Sequence, residues 1–218
     1  MRAGFEDEIE ALERLIEGQG DLVLRAVRRS LEALGSDDYA LAGAVIAGDD
    51  EVDERFSEVE RRVLELLARQ APVATDLRFV LAALHVNLSL ERIADYAETI
   101  AKLTRLVSGE QRDDSVLERL EVMGLRAEQM IRVALDSFVA RDAERACTLD
   151  ELDQVVDNGN REVSRMVVDV AGEPGTRSWA LQMLIVARSL ERMADHAVDI
   201  AEQTGFLATG AYRSRRAV

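Results

Sequence analysis

Two stretches of the chain carry paired carboxylates at a spacing suited to binding a cation. Residues 90–101 and 190–201 both begin with the pattern Leu-Glu-Arg-x-Ala-Asp-x-Ala, which places two acids four residues apart. These acids are Glu91 and Asp95 in the first stretch, and Glu191 and Asp195 in the second. On a helix this spacing places both carboxylates on one face, and their repulsion weakens an isolated helix by about 0.2–0.5 kcal/mol. The repetition of such a pair indicates that a cation or a binding partner compensates the charge.

The position of these acids on their helices differs from that of ordinary solvated side chains. At about 100° per residue, Glu91 lies almost over Leu84 and continues an apolar stripe, and the second copy repeats this relation. A simpler interpretation stays open, because Arg92 can pair with Asp95 as an ordinary ion pair within one helix. The same arginine–aspartate spacing recurs in the second copy. The motif alone therefore fits either a metal site or a pair of self-neutralised acids.

A third pair of acids with the same spacing, Asp49 and Asp53, precedes the first stretch. Asp49 shares a helical stripe with the apolar Phe56, so we expect it to face inward. In an antiparallel bundle this pair lies opposite Glu91 and Asp95 across the groove between two helices. Four converging carboxylates resist ionising together, and an all-oxygen site suits hard cations such as magnesium or manganese. Carboxylates also carry iron.

The second half of the chain offers fewer acids for such a site. Asp153 matches the second acid of that pair, but Leu149 stands where the first half has Asp49. The nearest acid, Asp150, is rotated by about 100° around the helix. Asp157, one turn beyond Asp153, is an alternative ligand. We therefore expect a second site to have fewer ligands than the first.

Composition and charge limit the class of protein. The 218 residues are 48% hydrophobic, which excludes wholesale disorder, and the two prolines and few aromatic residues favour long helices. The formal net charge of −15 argues against binding to nucleic acid or to anionic lipid. The single cysteine, Cys147, excludes an internal disulfide and fits a reducing compartment. The acidic N-terminal residues do not resemble a signal peptide and no apolar run reaches membrane-spanning length, so we expect a cytoplasmic protein.

Helical periodicity organises the chain into two similar halves. Apolar residues recur at helical spacing over residues 5–34, 38–69, 73–107, 116–140, 142–170 and 177–207. The polar stretch 109–114 is the best linker candidate. We predict an all-α fold of two tandem, homologous three-helix bundles, at residues 1–108 and 113–210, followed by a basic C-terminal tail at 211–218.

Other chemistry is sparse. Neither His85 nor His196 lies three residues after a glutamate, so the Glu-x-x-His signature of di-iron bundles is missing. Arg78 lies near a predicted helix start and is a candidate for anion or partner contact, although helix capping explains it equally well. Two alternatives to a binding protein stay open: a carboxylate-bridged, metal-dependent enzyme, and a metal-free helical scaffold.

These motifs resemble the PhoU family of phosphate-signalling regulators. The resemblance is carried by Arg2, Phe5, Leu12 and Leu15 in the opening helix, and by residues 45–53, 70–78, 90–97 and 190–197. It covers nearly the whole chain, and the motifs follow one another in the family's order. The resemblance implies two three-helix bundles, a homodimer, and multinuclear metal clusters in some members.

The resemblance also implies a set of ligands and partners. It places metal ligands at Asp49, Asp53, Glu91, Asp95, Asp153, Glu191 and Asp195, with Leu149 departing from the family pattern. The expected cofactor is a divalent or trivalent metal: iron, zinc, manganese or magnesium. The implied function is negative regulation of phosphate uptake and phosphate-starvation signalling. Such a protein is a non-catalytic adaptor between the ATPase subunit of a phosphate ABC transporter and a sensor histidine kinase, and reaches the membrane only through these partners.

Overall fold

The computed structural model describes residues 2–211, with side chains from residue 4 onward, and over this range the chain is helical and contains no strand. Its helices are α1 (Arg2–Ser36), α2 (Tyr39–Ala47), α3 (Asp49–Gln70), α4 (Ala74–Leu106), α5 (Asp114–Ala140), α6 (Ala143–Ala146), α7 (Leu149–Val170) and α8 (Arg177–Thr209). Helices α1 to α4 form one bundle and α5 to α8 form the other. The predicted fold class is confirmed. Most of the predicted basic tail, residues 212–218, lies outside the described residues.

The middle helix of each bundle is broken, whereas the sequence predicted one helix in each, with a weak point at Gly48 in the first. In the first bundle the break lies at Gly48, whose amide bonds to the carbonyl oxygens of Ala44 (3.2 Å) and Val45 (3.1 Å) and ends α2. Glycine is a poor helix former, and the three acids that follow favour a new helix N-terminus. In the second bundle the break lies at Cys147 and Thr148. The continuous-helix prediction over 38–69 and 142–170 was therefore wrong.

The linker between the bundles is held against the end of α1. Arg112 donates to the carbonyl oxygens of Leu34 (3.2 Å) and Gly35 (2.7 Å), which have no intrahelical partner at a helix C-terminus. Asp113 then caps α5 by accepting a hydrogen bond from the amide of Val116 at 3.0 Å. The predicted linker therefore forms ordered capping contacts with both helices that it joins.

The long helices α4 and α8 lie side by side in opposite directions. The rings of Tyr96 and His196 stack near the middle of these helices, with 6.0 Å between centroids. Arg78, at the start of α4, lies against Gly210 at the end of α8. The two carboxylate motifs are therefore carried by neighbouring helices at the centre of the molecule.

Helices α1 and α5 approach closely through a reciprocal pair of contacts. A Cβ atom at Gly124 would lie 2.6 Å from the side chain of Leu31, and one at Gly20 would lie 2.8 Å from Leu135. Both distances are too short for a real contact, so a side chain at either position would displace the leucine that packs on the glycine. The matching contacts show that the two halves are related by an approximate two-fold axis.

Candidate cation-binding carboxylates

The break at Gly48 makes Asp49 the first residue of α3 and turns it toward α4. Asp49 is half-buried, and its pKa is raised from 3.8 to about 6. Burial is the largest cause, followed by the negative charges of Glu98, Asp53 and Asp95, while Lys102 acts in the opposite direction. The carboxylates of α3 and α4 are therefore close enough to repel one another. This is the arrangement expected from antiparallel neighbours.

Glu91 carries an oxygen that is buried without a hydrogen bond. Its side chain is 19% exposed, and Oε2 has no hydrogen-bond partner among the described residues. Burial raises the pKa of Glu91, and the charges of Asp95 and Asp53 raise it further, whereas Arg92 lowers it. Arg92 Nε lies 3.4 Å from this oxygen, close enough for an ion pair but outside hydrogen-bond geometry, and Arg92 Nη1 donates to Asp95 Oδ2 at 3.1 Å. One arginine is thus shared between two acids.

Glu98 belongs to this carboxylate cluster, although the sequence analysis did not select it. Its side chain is only 18% exposed and forms an ion pair with Lys102. The signal was present in the sequence, because Glu98 lies seven residues after Glu91 and therefore on the same helical face. Val198 occupies the matching position in the second bundle. The first bundle therefore has one acid more than the motif alone predicts.

The second bundle contains a weaker version of the cluster. Arg188 Nη1 donates to Glu191 Oε1 at 2.9 Å, while Glu191 Oε2 is buried without a hydrogen bond among residues 2–211. Burial raises the pKa of Glu191, and Asp157 contributes to this shift, so the proposed substitute acid does lie near the motif. Arg192 pairs with Asp195 at 3.3 Å. Asp153 is half-buried on α7.

The donor atoms fit a hard cation, but the described side chains do not converge on one point. Within residues 2–211, no group of three or more histidine, cysteine or acidic side chains is arranged to hold a metal ion. Glu91 Oε2 and Glu191 Oε2 are buried without a well-aligned hydrogen bond among the described residues, but each lies in an ion pair, at 3.4 Å from Arg92 Nε and at 2.9 Å from Arg188 Nη1. The all-oxygen set matches magnesium, manganese or iron better than zinc, which takes nitrogen and sulfur ligands. The metal ligands stay a prediction.

Arg78 lies at the contact between the two bundles. Its Nη2 donates to Thr75 Oγ1 at 3.1 Å, and its guanidinium packs over Gly210, where a Cβ atom would lie 2.3 Å from Nη1. No basic residue occupies the last turn of α8, so Arg78 supplies a positive charge to the C-terminal end of that helix. Arg78 Nε is buried without a hydrogen-bond partner among the described residues, so this packing does not use every donor of Arg78. Its predicted role in anion or partner contact stays a prediction.

Fold and site together define a class of duplicated helical-bundle proteins with repeated carboxylate motifs. The model of the PhoU domain matches the chain twice, at residues 16–104 and 120–204. Those two matches cover most of the chain and coincide with the two bundles, so the chain belongs to the PhoU family. This confirms the resemblance seen in the motifs.

Curated relatives are similar over nearly the whole chain. A phosphate-specific transport system accessory protein PhoU homolog from Zymomonas mobilis is 35% identical over 207 residues, covering 94% of this chain and 87% of the relative. A protein of the same description from Caulobacter vibrioides is 32% identical, covering 94% of this chain and 90% of the relative. Both relatives are described as accessory proteins of a phosphate-specific transport system.

Two crystal structures share the complete fold. PhoU from Pseudomonas aeruginosa superposes with a TM-score of 0.88 at 30% identity, covering 95% of this chain and 100% of that one. The phosphate transport system regulatory protein PhoU from Streptococcus pneumoniae superposes with a TM-score of 0.90 at 28% identity, covering 97% and 100%. The arrangement of the two bundles is therefore shared with solved members of the family.

Proposed function

We propose that this protein is a non-catalytic negative regulator of phosphate uptake and of phosphate-starvation signalling. In this role it is an adaptor between the ATPase subunit of a phosphate ABC transporter and a sensor histidine kinase. The observation that carries the proposal is the pair of PhoU domains spanning both bundles, together with relatives described as accessory proteins of phosphate-specific transport. The proposal includes a homodimer, which enlarges the surface available to partners.

The proposed location is the cytoplasm, with contact to the membrane only through partner proteins. None of the helices described between residues 2 and 211 combines the length and the apolar character needed to cross a bilayer. The net charge of −15 opposes direct attachment to anionic lipid or nucleic acid. Protein surfaces are therefore the expected binding partners.

Deletion of the gene tests the adaptor role directly. The expected result is that phosphate-starvation genes are expressed even when phosphate is ample, because the kinase is no longer held inactive. Complementation with the unaltered gene is the control. Normal repression in the deletion strain at high phosphate would remove the main support for the proposal.

The proposal also includes a bound metal in the first bundle. Its ligands are drawn from Asp49, Asp53, Glu91 and Asp95, with Glu98 now added; the second bundle offers Asp153, Asp157, Glu191 and Asp195. When bound, the cation supplies positive charge that offsets the repulsion between these carboxylates. The support is electrostatic: the pKa values of Asp49 and Glu91 are both raised, and Glu91 Oε2 has no hydrogen bond among the described residues.

Metal analysis of protein purified without a histidine tag tests this part. The double variant Glu91→Ala/Asp95→Ala is expected to lose the bound metal of the first bundle. Glu17→Ala/Asp21→Ala is a matched control, because it removes two exposed acids at the same spacing on α1. Equal metal content in wild type and in the Glu91/Asp95 variant would exclude these residues as ligands.

A metal-free scaffold is the second candidate, and the arginine contacts favour it specifically. Arg92 contacts both acids of the first motif, while Arg188 and Arg192 each pair with one acid of the second. In this candidate the chain neutralises its own carboxylates and carries no cation. If protein isolated from the complemented strain contains no metal and repression is nevertheless complete, the metal-free scaffold is the correct candidate.

A further inference from the structure

A groove between α1 and α5 is separate from the carboxylate motifs. It has a volume of about 710 Å³ and lies beside the end of α1 and the start of α5. We call it the leucine groove, because its apolar lining consists of Leu31, Leu34, Leu117, Leu120 and Leu125. Its size falls within the range of ligand-binding clefts in proteins.

The apolar lining reaches the surface where the core does not require it. Leu125 is 58% exposed, and Leu31 and Leu117 are half-buried. The approximate symmetry provides an internal comparison, because Gly20 and Gly124 mark matching positions on α1 and α5. One residue beyond each glycine, α1 has the exposed Asp21 and α5 has Leu125.

Asp21 and Leu125 each directly follow their glycine, so they occupy matching positions in the two halves. A solvated acid on α1 therefore corresponds to an exposed leucine on α5. Since the fold accepts aspartate at this position, packing of the bundle does not explain the leucine. The exposed apolar surface is better explained by binding.

The rim of the groove is negatively charged. Its two arginines are already engaged, since Arg112 bonds to the end of α1 and Arg28 pairs with Glu128. Four further rim acids are exposed and form no salt bridge within the described part of the chain: Glu32, Asp114, Glu118 and Glu121. A ligand that binds here must present apolar groups to the floor and positive charges to the rim.

From this combination we infer that the leucine groove binds a basic amphipathic helix of a partner protein. An apolar helical face inserts between α1 and α5, and lysine or arginine residues at its edges meet the rim acids. A second copy of this chain is a poorer occupant, because its net charge of −15 repels the same rim. The inference is independent of the adaptor role and of any bound metal.

A synthetic peptide provides a direct probe. A labelled helical peptide of about 18 residues, with leucines on one face and lysines on the other, is titrated with the full-length protein and followed by fluorescence anisotropy. Leu125→Asp is expected to raise the Kd about tenfold or more, since it places a charge in the apolar lining of the groove. The matched control is Leu64→Asp, which changes a 66% exposed leucine on α3 and is expected to leave binding unchanged.

A charge reversal tests the rim. Glu118→Lys/Glu121→Lys is expected to weaken the leucine–lysine peptide about tenfold, while Glu54→Lys/Glu60→Lys, which reverses two exposed acids on α3, is expected to have little effect. A peptide with the same leucine face but glutamates in place of lysines is expected not to bind. Circular dichroism and thermal unfolding confirm that each variant remains folded.

Several outcomes would overturn the inference. Equal binding by wild type and Leu125→Asp would exclude the groove, and equal weakening by the α3 controls would identify non-specific attraction. Dimer formation in sedimentation experiments that Leu125→Asp abolishes would identify a second copy as the occupant. If deletion of residues 212–218 tightened peptide binding about tenfold, the chain's own basic segment would be the occupant instead.

Discussion

Replacing Asp49 by asparagine tests whether its carboxylate is held in an unfavourable environment. The folded protein raises the pKa of Asp49 from 3.8 to about 6, mainly by burial and then by the charges of Glu98, Asp53 and Asp95. Because the pKa is higher in the folded state, the folded protein binds a proton at Asp49 more strongly than the unfolded chain does. The contribution of Asp49 to stability is therefore fully present below about pH 4 and is lost as the pH rises through about 6.

The expected magnitude follows from this shift. A change of about two pKa units corresponds to about 3 kcal/mol, but Asp49 is partly exposed and solvent screening reduces the effect to about 1 kcal/mol. At pH 7.5 and without added metal, relief of this repulsion in Asp49→Asn is therefore expected to add about 1 kcal/mol to the free energy of unfolding, measured relative to a variant that loses an exposed acid from the same helix turn. At pH 3.5 the difference is expected to vanish, because Asp49 is then neutral in both the folded and the unfolded state.

Urea unfolding followed by circular dichroism, at intervals between pH 3.5 and 7.5 with a chelator present, measures this dependence. Asp50→Asn is the control, since it removes the neighbouring exposed acid from the same first turn of α3. Loss of a negative charge at a helix N-terminus costs both variants about 0.3–1 kcal/mol, and only Asp49→Asn is expected to gain stability in return. A stability difference for Asp49→Asn that does not change with pH would refute the electrostatic explanation.

Two further predictions concern packing. Gly124→Ala is expected to destabilise the fold by about 1–3 kcal/mol, because its Cβ would lie 2.6 Å from the side chain of Leu31. Gly18→Ala is expected to stabilise the fold by about 0.5–1 kcal/mol, because its Cβ would have no atom within 4 Å. Similar urea midpoints for the two variants would contradict this prediction. Gln19→Met is expected to stabilise the fold by about 1–2 kcal/mol, because Gln19 is fully buried and both polar atoms of its side-chain amide lack hydrogen bonds among the described residues. Methionine fits this environment, since Met123 occupies the matching position on α5. Destabilisation in thermal unfolding would show that the amide has a partner.

The sequence predicted the helices and the nearness of Asp49 to α4 for clear physical reasons. Long periodic stripes and a repeated motif are strong signals, because each bundle must bury one face of every helix. The prediction that Asp49 faces α4 needed only the antiparallel order of neighbouring helices. The electrostatic influence of Asp53 and Asp95 on Asp49 agrees with that order.

Two features of the site were not predicted, and only the first of them lies beyond the reach of periodicity. The helix break at Gly48 depends on a local competition between helix propagation and capping, and apolar spacing continues smoothly across it. Glu98 was not predicted, because the selected pairs are acids four residues apart. A residue seven positions after Glu91 also lies on the same helical face. The leucine groove arises from contacts between α1 and α5, which are distant in sequence.

The two bundles have diverged in the same direction at several separate positions. Matching pairs, with the first bundle given first, are Asp49 and Leu149, Glu98 and Val198, Gln19 and Met123, and Asn87 and Ala187. Every apolar member of these pairs is buried in the core. In the first bundle, by contrast, Asp49 has a raised pKa, and Gln19 and Asn87 contain buried atoms without hydrogen bonds among the described residues.

Each of these polar groups costs stability, since burial removes water that the protein does not fully replace. The second bundle reaches the same fold without them, so the fold itself does not require them. Of these groups only Asp49 and Glu98 are acids, and Glu98 is paired with Lys102, so the cation or partner proposed for the first bundle would offset mainly the repulsion at Asp49. Helix α4 of the first bundle packs against α8, whose motif acids are paired with Arg188 and Arg192.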